Sequence, residues 1–540
     1  NKAMGKKERI LIYGDYDVDG TTAVALVYKF IQQFYSNIDY YIPDRYNEGY
    51  GVSTQGVDYA SETGVGLIIA TSCLLSIGQG ASTIGLPFII TMAIACAFNI
   101  LTAFSICELN ALMPNLTGGM AQYTLACFGP FVSIVITVGG YLTCRTIMGS
   151  SEAAMFGNTL SNVLTGVPIP GSVYSIVLIL ILLGLNLFGV DMFAKVQNIV
   201  AYGLIGSLLF LGIMGTIKLG TGQVVEQPAV LSSKPGDVFS LLGLAFFLFI
   251  GVEFIVPIST QVKNPRKKVP FGMVISLVAI LVMQIFMVIG FSHYTPWDEL
   301  GVSTVPHILY GSLLYGKVGT IWMTVISLLA VISTLNTAMF SIAQICSGMA
   351  KIQLLPSVFM RKNKRGTPYV GLLLVAAAMI LINITGLSTS DQLTFLILTG
   401  CTFWIFSYII LHFDVLILRK RLPKAPRTFK LPFGPLIPII GIIGNGFMIY
   451  NIDSSWEVKK RIYLIFVITV AILSVYAVIW IKCVMKRPMF KAYQIKEVMA
   501  MESDLYQINH NPYVAKKLHL DAKPEIESMP ADVNTGTRPE

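Results

Sequence analysis

Two short stretches of this sequence carry residues that can do chemistry. The first is the acidic loop Gly14-Asp15-Tyr16-Asp17-Val18-Asp19-Gly20. Three carboxylates at alternate positions beside glycines suit Mn²⁺ or Mg²⁺, which take oxygen ligands. The second is Gly251-Val252-Glu253, inside the apolar run that begins near Ser240. A carboxylate at membrane depth costs a few kcal/mol on insertion scales and usually faces a cavity. Apolar segments interrupted by glycine point to a transporter's binding site, because unwound backbone exposes N–H and C=O groups to a ligand. The run closes on Asn264-Pro265, followed by Arg266, Lys267 and Lys268.

The elements that must position these residues differ in kind. Residues 8 to 70 read as soluble α/β. Arg9–Tyr13 and Ile38–Ile42 are strand candidates, Thr21–Tyr35 has helical spacing, and Val65–Ala70 is a third strand candidate. The remainder is too apolar for a soluble fold. The chain is 54% hydrophobic and only 12% charged, with mean hydropathy +0.70, where soluble domains carry roughly 25% charged residues. From about Thr71 it alternates apolar runs of about 18–25 residues with short polar loops, the length that crosses a bilayer. The spacing predicts spans near 86–110, 126–155, 172–190, 195–217, 239–260, 270–292, 318–348, 368–386, 392–418, 435–452 and 462–484, with a partial first span near 64–82. An all-α membrane bundle of about 11–12 helices follows, with the lipid bilayer as its first partner.

Net charge is +9. Much of the basic excess falls in short loops, so it signals membrane orientation and not a nucleic-acid partner. Loops 262–268, 351–365 and 419–430 are densely basic and lie an even number of spans apart, which places them and both termini in the cytoplasm. Loop 453–461, with Lys459, Lys460 and Arg461, is the exception on the outer side. The eight cysteines are scattered and form no CxxC pair, so neither a zinc site nor a disulfide framework is indicated.

Residues 13–22 (YGDYDVDGTT) and 40–53 (YYIPDRYNEGYGVS) resemble the DHH phosphoesterases, most closely their single-strand-specific exonucleases. The resemblance implies metal-ligand roles for Asp15 and Asp17 with Mn or Mg. It also implies further ligands that the sequence lacks: Ala70-Thr71-Ser72 stands where an Asp is needed, and none of the five histidines follows an Asp. Asp15 and Asp17 are therefore read as vestigial, the domain as truncated, and the chain as no enzyme. The alternative is a membrane-tethered, metal-dependent phosphoesterase of single-stranded nucleic acid.

The stretches at 85–119, 126–130, 249–270 (FIGVEFIVPISTQVKNPRKKVP), 335–356 (LNTAMFSIAQICSGMAKIQLLP), 365–374 and 416–438 resemble the amino acid–polyamine–organocation permeases. They stand in the family's order across about three quarters of the chain. The resemblance implies the leucine-transporter fold, two inverted five-helix repeats plus two helices, and amino acid transport by proton symport or exchange. In that fold the first and sixth helices break at the midplane, and their ends hold the substrate's carboxylate and ammonium. Phe249–Glu253 is then the sixth-helix break, Phe247 an aromatic gate, and Glu253 either a proton-coupling group or a structural carboxylate. Asn336 lines the path or caps a local distortion. Arg145 and Glu152, seven apart, share a helix face and read as an inward network. Glu108 reads as gate or scaffold. No cofactor is implied beyond a coupled proton.

The first-helix motif should precede Pro87 by roughly fifteen residues, which lands near Thr71 and Ser72. Gly78 and Gly80 are flexible candidates further on. The two resemblances meet near Ala70, which reads as a junction between unrelated coding sequences. Three domains are expected: residues 1–70, a transmembrane domain at 71–485, and a polar tail at 486–540. An inactive chimeric remnant is the other alternative.

Overall fold

The computed structural model describes residues 10–13, 38–41 and 71–501, the last with internal gaps at 114–115, 117, 165, 167, 189–191, 233, 252–264, 387–391, 426 and 428. Strands β1 (Ile10–Tyr13) and β2 (Ile38–Tyr41) pair in parallel, Ile10 opposite Ile38. They coincide with two of the three expected strands. Asp15, Asp17, the expected helix at 21–35 and the third strand lie outside the described residues.

The other elements among the described residues are helices. The first described helix, α1 (Thr71–Ile84), is buried on nearly every side, as expected of an apolar helix at the centre of a bundle. After Gly85 and Pro87 comes α2 (Phe88–Leu112), about 37 Å long at 1.5 Å per residue. The expected span at 126–155 is not one helix. It starts earlier, as α3 (Met120–Phe128), and breaks at Gly129, whose φ is +85°. Pro130 then opens α4 (Pro130–Thr137), where its missing N–H costs nothing. A π-turn at Val138–Thr143 leads into α5 (Cys144–Val163). The apolar run continues through both interruptions, so its length conceals them.

Next come α6 (Gly171–Phe188) and α7 (Met192–Thr216), then two single-turn pieces, α8 (Pro235–Ser240) and α9 (Leu242–Phe247). The long α10 (Pro265–Tyr294) is followed by a short α11 (Trp297–Val302). Helix α12 (Pro306–Lys351) turns sharply at Tyr315 and Gly316, where φ is −134° and +59°. The remaining long helices are α13 (Tyr369–Ile384), α14 (Leu393–Arg421), α15 (Leu436–Tyr450) and α16 (Trp456–Trp480). A short α17 (Ile495–Ala500) lies in the folded start of the tail.

Seven described helices are long and apolar enough to cross a membrane, and three shorter apolar ones lie at 203–216, 369–384 and 436–450. Burial sorts them into layers. The spans through α5 and α14 are each 72% buried, whereas α16 is 11% buried and turns its apolar surface outward. The inner layer is thus α1, α5, α9 and α14. Close approach within it is set by small residues: a Cβ on Gly80 of α1 would lie 2.2 Å from the Phe88 ring. Phe88 is fully buried, so it has nowhere to retreat. Gly80→Leu is expected to reduce the yield of monodisperse protein severalfold, read by gel filtration in detergent. An unchanged profile would show that α2 can move away.

Candidate substrate-binding site

The site is built where α9 stops. Leu248 and Phe249 close the helix with tight i→i+3 bonds to the Ala245 and Phe246 carbonyls. Gly251 then takes φ +104°, a region that L side chains rarely occupy. The chain cannot continue as a helix, and the last carbonyls of α9 are left for other partners. One of them is met from α1: the Cys73 thiol donates to the Phe247 carbonyl at 3.8 Å. The carbonyl end of α9 therefore abuts the start of α1.

Beside this junction lies a cavity lined by Cys73 of α1, Met148, Gly149 and Glu152 of α5, Phe247 and Gly251. Arg145 of α5 and Thr334, Leu335 and Ala338 of α12 also line it. At about 30 Å³ it has room for about two waters. Holding an amino acid requires its walls to move apart, and Phe247 is the bulkiest side chain among them.

Charge inside the cavity is handled by neighbours. Ser72 Oγ donates to Glu152 Oε1 across 80 residues of sequence. The Arg145 guanidinium lies 4.7 Å from the centroid of the Trp404 ring, a cation–π contact that stabilises a desolvated cation. Phe246, one residue before the gate position, packs edge-on against Tyr408 at 5.8 Å.

The expected site residues are distributed unevenly. Ser72, Phe247 and Gly251 gather at the junction, and Arg145 with Glu152 do share the inward face. Thr71 opens α1. Phe249 is fully buried and is not among the residues that line the cavity. Asn336 points elsewhere: its Oδ1 accepts from Asn186 of α6 at 2.6 Å, a crosslink between helices. Gly78 and Gly80 are packing positions inside a continuous helix, facing Pro306 and Phe88. Glu253 lies outside the described residues. Cys73 and Thr334 carry no signal in the sequence, since both sit within ordinary apolar runs.

Comparisons with known proteins bear on the family and the fold. The family model described as amino acid permease matches residues 52–473. The chain is 24% identical over 425 residues to the branched-chain amino acid permease BcaP of Bacillus subtilis, covering 74% of this chain and 88% of that one. It is 23% identical over 355 residues to the serine/threonine exchanger SteT of the same organism, covering 64% and 78%. A separate match of 93 residues is 38% identical to the single-stranded-DNA-specific exonuclease RecJ of B. subtilis, covering 17% of this chain and 12% of that enzyme. A crystal structure of the Eremococcus coleocola manganese transporter superposes with a TM-score of 0.53 at 13% identity, covering 81% of this chain and 97% of that one. The last shows the fold, the leucine-transporter-like bundle expected from the sequence. On the family match, this multi-pass membrane protein belongs to the amino acid permease family.

Proposed function

We propose that the chain is a secondary transporter that moves amino acids by proton symport or exchange, with the substrate held between α1 and α9. The observation that carries this reading is the meeting of the α1 start with the opened end of α9 at Cys73 and Phe247. A zwitterion needs donors for its carboxylate and acceptors for its ammonium. Main-chain N–H groups around Thr71 and Ser72 supply the first, and the carbonyls from Phe247 to Gly251 supply the second. Phe247 acts as the gate that must swing for the cavity to open. Glu253, two residues past the left-handed glycine, is the carboxylate proposed to face the substrate path.

The cavity wall also bears on substrate class. Met148, Gly149, Leu335 and Ala338 offer apolar, small-residue lining, and Glu152 and Arg145 are each engaged already. A neutral side chain of modest size fits best. The transport domain is taken as 71–485, with the basic loops and both termini on the cytoplasmic side.

The test is uptake into proteoliposomes of labelled leucine, serine and lysine, with either an inward pH gradient or an internal amino acid. Saturable leucine or serine uptake, weaker for lysine, is the expected result. Folded protein that takes up none of them would reduce the chain to a scaffold without a working site.

A further inference from the structure

Asp414 is the one carboxylate of α14, and it is completely buried. Its Oδ2 accepts from Thr124 Oγ1 of α3 at 2.8 Å, while its Oδ1 has no hydrogen-bond partner. The ion pairs of the described residues lie elsewhere. An ionised carboxylate with only the Thr124 hydroxyl and the weakly donating Cys127 thiol beside it, and no ion-pair partner among the described residues, is expensive in such a place, and the neutral acid is much less so.

What packs over Asp414 is a short helix set off from its neighbours. Helix α3 is bracketed by two glycines with positive φ, Gly119 at +58° and Gly129 at +85°. It is pinned from several sides. Cys127 Sγ donates to the Asp414 main-chain carbonyl at 3.6 Å, and Arg421 Nη1 donates to the Ala126 carbonyl. The tail adds Tyr493 N to the Leu125 carbonyl at 3.2 Å, with Phe131 N donating to the Met489 carbonyl at 3.1 Å just beyond Gly129.

The acidic and basic groups on the elements around Asp414 have other partners or other places, while Tyr123 of α3 is buried with its hydroxyl without a hydrogen bond and Tyr408 of α14 packs on Phe246. On α3, the Cys127 thiol binds main chain. On α2, Glu108 is held by Arg419 and Arg427. Within α14, His412 faces Thr102 and Ser105 of α2. On α5, Arg145 and Glu152 line the central cavity. The charges of α16 lie at its other end, where Arg461 covers Phe395 at the start of α14. Helices α4, α9 and α15 carry no acidic or basic side chain, and the π-turn adds only Tyr141.

We propose that Asp414 is a proton-binding site at the basic-loop end of the bundle, with α3 as the gate that covers it. It keeps its proton while α3 is docked and gives it up when α3 swings away. In the step, the carboxyl O–H bond breaks, the proton passes to entering water, and the carboxylate is hydrated; docking reverses it. Each opening of this end therefore exchanges one proton with the solution it faces. The consequence for transport rests on the permease reading, whereas the proton site itself does not.

Two measurements on the purified full chain test this. Infrared spectra across a pH series should show a protonated-carboxyl C=O band at neutral pH that is missing in Asp414→Asn. Thr124→Ala, which removes the hydroxyl donor to the carboxylate, should move the band's midpoint to higher pH; it tests the site even if Asp414→Asn does not fold. In proteoliposomes, amino acid exchange should speed up as the pH on the basic-loop side rises, by at most about tenfold per pH unit, and Asp414→Asn should flatten that profile. Absence of the band, an unmoved midpoint in Thr124→Ala, or an unchanged pH profile in Asp414→Asn would overturn the proton site and leave the permease reading standing. A band that behaves as described in a protein that exchanges no amino acid would do the reverse.

Discussion

Gly251→Ala is expected to lower amino acid uptake at least tenfold, by roughly 1–3 kcal/mol of backbone strain, while leaving the bundle assembled. The reason is local. Gly251 has φ +104° and lines the cavity directly after the end of α9. Any L side chain there favours a conformation that redirects the segment carrying the Phe247 to Gly251 carbonyls. Those carbonyls are the proposed ammonium site, and a misplacement of about 1 Å is costly for a ligand held by several converging groups. The bundle's packing is carried by buried apolar side chains elsewhere, so the variant should still be purified as a monodisperse species. Gly184→Ala on α6 is the control: a Cβ there meets nothing within 4 Å. Its uptake should match the parent chain. Parent-level uptake by Gly251→Ala would mean that the α9 break plays no part in binding.

How much of this is legible in the sequence depends on what kind of interaction sets each feature. Helices that cross lipid are bounded by the length of their apolar run, so the runs at 172–190, 368–386 and 435–452 fall where α6, α13 and α15 lie. The break near Gly251 is legible because a glycine beside an acid is rarely placed in a lipid-crossing helix unless the backbone opens there. The shared face of Arg145 and Glu152 follows from helical periodicity alone. The Gly129–Pro130 interruption and the π-turn do not show as breaks, since hydropathy is blind to backbone geometry. Short helices such as α3 and α17 fall below the length of a span. Least legible are the partners. Nothing in a stretch reading Thr71-Ser72-Cys73 states that Ser72 meets Glu152 or that Cys73 meets the Phe247 carbonyl. Counting back from Pro87 finds the position of Ser72 but not its chemistry. Gly78 and Gly80 mislead for a related reason: flexibility and close packing both call for glycine, and only the facing Pro306 and Phe88 decide between them.

The second large effect is expected at the opposite end of α2. Glu108 is 2% exposed, yet it is held by an arginine fork: Arg419 Nε donates to Oε1 at 2.7 Å and Arg419 Nη2 to Oε2 at 2.6 Å. Arg427 Nε lies 3.3 Å from Oε1, and Leu431 N donates to Oε2 at 2.8 Å. One carboxylate thus ties α2 to the end of α14 and to the basic loop after it. Glu108→Ala strands two cations in a poorly hydrated site, a change that typically costs about 3–5 kcal/mol. Bringing in water to solvate them means parting α2 from α14, so the damage should appear as opening of this end as well as loss of stability. The expected results are a marked fall in melting temperature in detergent and faster alkylation at this end, where Cys107 and Cys127 are buried in the parent chain. Glu108→Gln, which keeps an acceptor but not the charge, should fall between. If Glu108→Ala melted like the parent, the pair would be contributing nothing net, as some buried ion pairs do when Coulomb attraction only offsets desolvation. The fork geometry and the main-chain N–H from Leu431 argue for the larger effect, because they satisfy both oxygens of an anion that has no other route to water.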